Sequence, residues 1–414
     1  MAKSRSPLVI IFITVFIDLV GFGIVIPVLP IYARRFDASE TVIGLLLGVF
    51  SAMQFIFSPI LGRLSDRVGR RPVLLFSLIG TSAGFVIMGL AGLGLGNALL
   101  LLFLGRIIDG ISGANISTAQ AYIADVTPPA KRASGMGLIG AAFGLGFIVG
   151  PALGGVLSRV SLSAPFFFAA GLAAANAVAL YFLLPESLKP EHRDRSRRRA
   201  SIAEVLRESG SWHLGVIMGT WFFATLAFSM LTAIYALFTL LRFNYDAAHV
   251  GYIFAFVGLV GAIIQGGLIG RLVKAFGDKA LVIAGTAVTA LSMFWLPLSD
   301  SLGNLLLATT GIAVGNSLST PTLNAMASKS ASALLQGRVL GVLQSVASLA
   351  RIIGPVLGGF LLSRDVQAAS STYGKTPFWA GGVIMIIALI LSVSLQSMNV
   401  QEGVPLEQSG GKGV

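Results

Sequence analysis

The sequence predicts an all-α polytopic membrane protein, with twelve transmembrane helices in two pseudo-symmetric six-helix bundles. Three observations carry that expectation. Of 414 residues, 55% are apolar and only 11% are charged, against roughly 25% charged in an ordinary soluble domain. So little charge cannot coat a soluble protein of this size, and the chain belongs in a bilayer. Windows of about 20 residues pick out twelve apolar runs, near 8–31, 42–61, 73–93, 98–120, 134–157, 164–184, 213–240, 249–270, 280–298, 303–326, 338–362 and 377–398. The chain also repeats itself. Gly62 is matched by Gly270, and Gly150-Pro151-Ala152-Leu153-Gly154-Gly155 by Gly354-Pro355-Val356-Leu357-Gly358-Gly359, at offsets of 208 and 204 residues. Two matches at nearly one offset argue for a parallel repeat of six spans.

Lys3 and Arg5 precede the first apolar run. That run is too long for the core of a cleaved leader and is expected to be retained as span one. Between spans two and three, Gly62-Arg63-Leu64-Ser65-Asp66-Arg67-Val68-Gly69-Arg70-Arg71 reads as a short cytoplasmic turn held in place by positive charge. A weaker copy, Gly270-Arg271-Leu272 with Gly277-Asp278-Lys279, separates spans eight and nine. Of 29 Lys and Arg residues, six lie in outer segments (Arg34, Arg35, Arg159, Arg242, Arg364, Lys375) and two inside spans. The remaining 21 lie in segments of the other parity, which predicts both termini in the cytoplasm. The one long loop, 185–211, divides an N-terminal bundle (1–184) from a C-terminal one (212–398), and a polar, Gly-rich tail (399–414) is expected to be disordered. The loop's basic run from Arg193 to Arg199 suits either a topology anchor or a grip on anionic membrane lipid, at about 1 kcal/mol per residue.

Several classes of function are excluded or disfavoured. The net charge of +12 follows the positive-inside pattern and does not point to nucleic acid. With no cysteine there is no disulfide framework and no thiol chemistry. His192, His213 and His249 fall in loops or at span ends, and no metal-ligand spacing or nucleophile–base constellation is present. An enzyme, a metal site and a cofactor are therefore not expected. The phosphate-binding pattern G-x-x-x-x-G-K-[ST] is missing, so ATP is not the expected energy source.

The chemistry is expected from four ionisable residues inside spans: Asp18, Arg106, Asp109 and Arg351. Each costs about 2.5–3.5 kcal/mol near the bilayer centre, so such residues face the bundle interior and pair. Inert ion pairs fixing helix packing are one reading; proton coupling and substrate recognition are the other. Asp18 is the first choice as proton carrier, because a carboxyl in a partly dry cavity can load and release protons near neutral pH. Asp109, three residues from Arg106 on one helical face, either neutralises that arginine or serves as a second proton site. Arg351 has no acidic partner in its own half's membrane core and either pairs across the halves or binds an anionic group. Span seven carries Trp221, Phe222, Phe223, Phe228, Thr232, Tyr235 and Phe238, and amides at depth include Asn115, Gln265, Asn316, Asn324 and Gln344. Aromatics with a few amides suit a lipophilic organic solute; helix packing is the plainer role. Arg351, Asn115, Tyr235, Phe238, Gln265, Asn316 and Gln344 are the candidate substrate contacts.

Several motifs carry a resemblance. The loop Gly62–Arg71 resembles the major facilitator pattern G-x-L-x-D-R-x-G-R-[RK]. Leu104-Gly105-Arg106-Ile107-Ile108-Asp109-Gly110 resembles the family's arginine motif, with Asp109 where Gln is usual. Gly146-x-x-x-Gly150-Pro151-x-x-Gly154-Gly155 looks like the antiporter motif. Asp18-Leu19-Val20-Gly21-Phe22-Gly23 with Pro27-Val28-Leu29-Pro30 is similar to span one of the tetracycline-efflux-like drug/proton antiporters. Tetracycline exporters carry acidic residues in spans three and nine, and those spans here have none, so the resemblance points to the branch and not to that substrate.

The resemblance implies the major facilitator fold in a cell inner membrane and alternating access, with proton-coupled efflux of small lipophilic compounds by a monomer. It also implies a conformational switch: Gly62, Asp66 and Arg70 with Asp125 latch the outward-facing state, while Gly150-Pro151 and Gly354-Pro355 give close packing and bending. Two rivals are a lipid or organic-anion transporter using Arg106 and Arg351 without protons, and a membrane sensor or enzyme on the same scaffold.

Overall fold

The computed structural model describes residues 7–128, 132–188, 212–330, 336–367 and 373–395, and every regular element among them is a helix. The basic run Arg193–Arg199 and the tail 399–414 lie outside the described residues. Spans one to three are Pro7–Arg34, Glu40–Val68 and Arg70–Leu90. Span four is broken into Ala98–Ser112 and Ile116–Val126. Spans five to seven are Arg132–Ser158, Ala164–Leu183 and Trp212–Phe243. Span eight, Ala247–Ile263, runs through a π-helical turn, Ile264–Leu268, into the helix Ile269–Trp295, which also contains span nine. Leu302–Lys329, Gln336–Gln367 and Lys375–Val393 complete the set.

The turns between spans two and three and between eight and nine are tighter than expected. Sequence places a ten-residue loop at 62–71, yet the helix runs on to Val68 and restarts at Arg70. Charged residues beyond the bilayer are hydrated, so nothing stops a helix from continuing there. Gly69 alone breaks it, at φ +113°, in a region that side chains rarely adopt. Its repeat mate Gly277 does the same at φ +80°.

Ten described runs are long and apolar enough to cross a membrane; the run Ala247–Leu298 holds spans eight and nine together. Span ten falls outside the ten because Thr309, Thr310, Ser319, Thr322 and several amides dilute its hydropathy. Those four hydroxyls each donate to the carbonyl four residues back, at 2.6–3.0 Å, so they satisfy themselves within the helix.

The repeat is visible in the packing. On span five, Gly150 and Gly154 lie against Val20, Gly23 and Ile24 of span one, while Gly155 meets Ala248 and Gly251 of span eight. On span eleven, Gly354 and Gly358 lie against Leu226, Met230 and Ile234 of span seven, while Gly359 meets Glu40 and Gly44 of span two. Matching glycines thus bind each half together and also form its seam with the other half. The carbonyls of Pro151 and Pro355 face Gly251 and Gly44 across that seam, and Thr41 donates to Ser363 at 3.2 Å beside it.

The seam lies at the end of the bundle away from the termini. It continues to Phe147 and Ile148 against Gly258, and to Gly48 against Ile352 and Val356. Farther on, Gly144 and Gly140 of span five, and Gly266 and Gly267 of span eight, have no atom of the described residues where a side chain would start. The halves part there, leaving a vestibule open toward the terminal end.

Candidate functional site

The break in span four builds the central site. Gly113 N donates to the Asp109 carbonyl at 2.6 Å, and Gln54 Nε2 of span two donates to the Gly113 carbonyl at 2.9 Å. With the local helix interrupted, Asn115 reaches span one, and its Nδ2 donates to Asp18 Oδ2 at 2.5 Å. Asp18 is half-buried, and its Oδ1 has no hydrogen-bond partner among the described residues.

One turn away, Arg106 Nη1 pairs with Asp109 Oδ2 at 3.1 Å. Arg106 is 1% exposed and lies 4.1 Å from the centre of the Phe50 ring. Phe50 packs on Phe22 at 5.7 Å, and Phe22 on Phe147 at 5.9 Å. Arg106 is thus matched by a carboxylate and roofed by an aromatic ring. Asp18, whose recorded partner is a neutral amide, has no such match among the described residues.

In the other half, Arg351 is half-buried and donates from Nη2 to Ser348 Oγ at 3.3 Å. Among the described residues it forms no ion pair. Gln344 is exposed, seven residues earlier on the same helix. Gln265 is exposed on the π-helical turn and donates to Ser317 at 3.3 Å. Asn316 accepts from Thr320 at 2.9 Å and is half-buried, as is Asn324. Tyr235 and Phe238 are fully buried. The Tyr235 hydroxyl bonds Thr309 at 2.9 Å, and Phe238 packs edge-on against Phe378 at 4.9 Å. In this conformation both are core residues, Asn115 is buried as well at 3% exposed, and Gln265, Gln344 and Arg351 border the space between the halves.

With this geometry in place, comparison with known proteins is direct. The profile of the Major Facilitator Superfamily matches residues 11–273 and 266–410. The chain belongs to the major facilitator superfamily. It is 33% identical to a tetracycline resistance protein, class D, of Salmonella ordonez, over 94% of this chain and 97% of that one. It is 30% identical to multidrug resistance protein 2 of Bacillus subtilis (strain 168), over 94% and 95% of the two chains. Among solved structures, a bacterial homolog of the human lysosomal transporter Spinster, inward-facing and occupied, superposes with a TM-score of 0.79 at 16% identity, covering 95% and 97%. The human organic anion transporter MFSD10 (TETRAN) superposes at 0.67 with 26% identity, covering 95% and 100%.

This facilitator's signature loop forms a compact ion network. Arg70 donates to Asp125 at 3.2 Å, to Asp66 at 2.5 Å and to Ser65 at 2.7 Å. Glu186, just past span six, accepts from the backbone N–H groups of Arg70 and Arg71 at 2.9 and 3.1 Å, capping span three where the helix dipole favours an anion. The repeat preserves the geometry and reverses the sign: at the matching places, Lys329 donates to Asp278 at 2.6 Å.

Sequence reasoning missed Glu186, Gln54 and the Phe22–Phe50–Phe147 cluster. The signals were faint: one acid after span six, a lone amide within an apolar run, and phenylalanines indistinguishable from lipid-facing ones.

Proposed function

We propose that this facilitator is a proton-coupled exporter of small lipophilic organic compounds, working by alternating access, with Asp18 carrying the proton. The observation that carries the reading is the contrast between the two acids. Asp109 is neutralised by Arg106, so its charge is compensated whichever way the vestibule opens. Among the described residues, Asp18 has Asn115 alone, with one oxygen unpartnered. An uncompensated carboxylate at depth costs about 2.5–3.5 kcal/mol, and a proton removes that cost.

The working parts are two six-helix halves, 1–184 and 212–398, joined by a cytoplasmic linker over 185–211. Both termini are cytoplasmic, in the cell inner membrane, and the vestibule therefore opens inward. The Arg70–Asp66–Asp125 network and the Gly-Pro pairs Gly150-Pro151 and Gly354-Pro355 act in switching between states. The protein moves its substrate without altering it, as a monomer, and membrane lipid meets its basic segments. The curated relatives' names, tetracycline and multidrug resistance, support a small organic substrate exported for resistance.

The test uses proteoliposomes holding a pH-sensitive dye, with lipophilic cations, neutral drugs and anions added in turn. Substrate-triggered proton movement is expected in the native protein and absent in Asp18→Asn. Movement that survives the substitution transfers the role to Asp109; substrate flux without any proton signal sinks the coupling.

A further inference from the structure

Arg351 is the intramembrane charge that the coupling scheme leaves without work. Its direction follows from span eleven's own contacts. Ala350, Gly354 and Gly358 face span seven, where Ser229 donates to the Ala350 carbonyl at 3.2 Å. Ile352, Pro355, Val356 and Gly359 face span two. Leu349, Ile353 and Phe360 are exposed, at 44%, 39% and 44%, and form the lipid side. At about 100° per residue, Arg351 falls between the two packed faces and opposite the lipid side. Gln344 and Ser348 share that direction. The three form a polar stripe along the vestibule wall, with Gln344 nearest the open end.

The other intramembrane arginine shows what a structural arginine looks like in this fold. Arg106 is sealed, paired with Asp109 and roofed by Phe50. Arg351 is half-buried, with Ser348 Oγ as its recorded hydrogen-bond partner. A guanidinium offers five donors in a planar fork suited to an oxyanion, and retaining one unmatched at depth is costly.

The geometry points to an anion-binding subsite formed by Arg351, held in place by Ser348, whose own hydroxyl donates to the Gln344 carbonyl at 3.0 Å, and to a lipophilic organic acid as the transported compound. Its carboxylate or sulfonate docks on span eleven, opposite the half that carries Asp18. This rests on the exporter reading above and narrows its substrate class. It also removes Arg106 from any anion site, because that guanidinium is 1% exposed and already paired with Asp109.

The test compares 2-naphthoate with 2-naphthamide, which share a ring system and differ in charge. Binding to the purified full-length protein in detergent is measured by equilibrium dialysis. The native protein is expected to bind the carboxylate about tenfold more tightly, the scale of one charge-assisted hydrogen-bonded contact. Arg351→Gln should bind both alike, and Arg351→Lys should keep part of the preference, since it retains charge without the fork. Equal affinities in the native protein, no binding of either compound, or a preference intact in Arg351→Gln would each overturn the subsite. The native comparison needs no variant to fold. Dialysis does not sense proton movement, so a charge-blind site and a failure of coupling in liposomes are separate results.

Discussion

Asp109 and Asp18 sit on neighbouring spans of one half, yet removing their charges should have opposite consequences. Asp109→Leu leaves Arg106 sealed under Phe50 with no counter-ion, and breaking a buried pair from one side costs about 3–5 kcal/mol. Thermal unfolding in detergent should show a large fall for Asp109→Leu and a recovery when Arg106→Met is added. Asp18→Asn breaks no ion pair and should leave the unfolding temperature nearly unchanged while abolishing coupling. The four ionisable residues and the Arg106–Asp109 neighbourhood were legible in the sequence, because charge in an apolar run has few explanations and i,i+3 spacing is local. The Asn115–Asp18 bond was not. It spans 97 residues and depends on a helix break that Gly113 permits but does not announce. Tyr235 and Phe238 illustrate the opposite error, since an aromatic stripe looks the same whether it lines a cavity or fills a core.

At the scale of elements, both tight turns hang on a single glycine. Gly69 is at φ +113° with the Glu186 carboxylate against it, whereas Gly277 is at φ +80° with open space around it. Alanine at either position incurs backbone strain of about 1–3 kcal/mol. Gly69→Ala must also displace Glu186 from the end of span three, so it should lower the unfolding temperature more than Gly277→Ala. Glu186→Gln tests the cap alone, with an expected loss of about 1 kcal/mol. Helix number and order were readable from hydropathy, because a bilayer imposes length on any span. Helix ends were not, since helices here outrun the apolar stretch into water. Span ten is the instructive case: it is too polar for a hydropathy criterion, yet the hydroxyls of Thr309, Thr310, Ser319 and Thr322 are all paid for within the helix.

At the scale of the whole molecule, the halves meet at one end and part at the other. Thr41 and Ser363 lie on opposite halves with hydroxyl oxygens 3.2 Å apart, within reach of a disulfide. The native chain has no cysteine, so Thr41→Cys with Ser363→Cys introduces the only two thiols. Oxidation should lock that end shut and stop transport, and reduction should restore it; gel mobility and flux read the two effects. A further test belongs to charge balance. An organic anion leaving as one proton enters moves two positive charges inward, worth about 4.6 kcal/mol per 100 mV of inside-negative potential. An imposed potassium diffusion potential should therefore accelerate 2-naphthoate export, whereas exchange of a monovalent cation for a proton would not respond. The two-half organisation was visible in two glycine-rich matches at nearly one offset. Which end of the bundle is shut was not, because both states of an alternating machine are written in the same residues.

The seam itself has a kinetic consequence. At Gly44, Gly251 and Gly359 the facing surfaces are main chain against main chain, too close for a methyl group. Interlocked side chains would have to change rotamer before such faces could separate, and each would contribute its own barrier. Bare peptide faces have no teeth to disengage. They can part and rejoin like two smooth plates, which favours a carrier whose turnover is limited by its cargo and not by its own hinge.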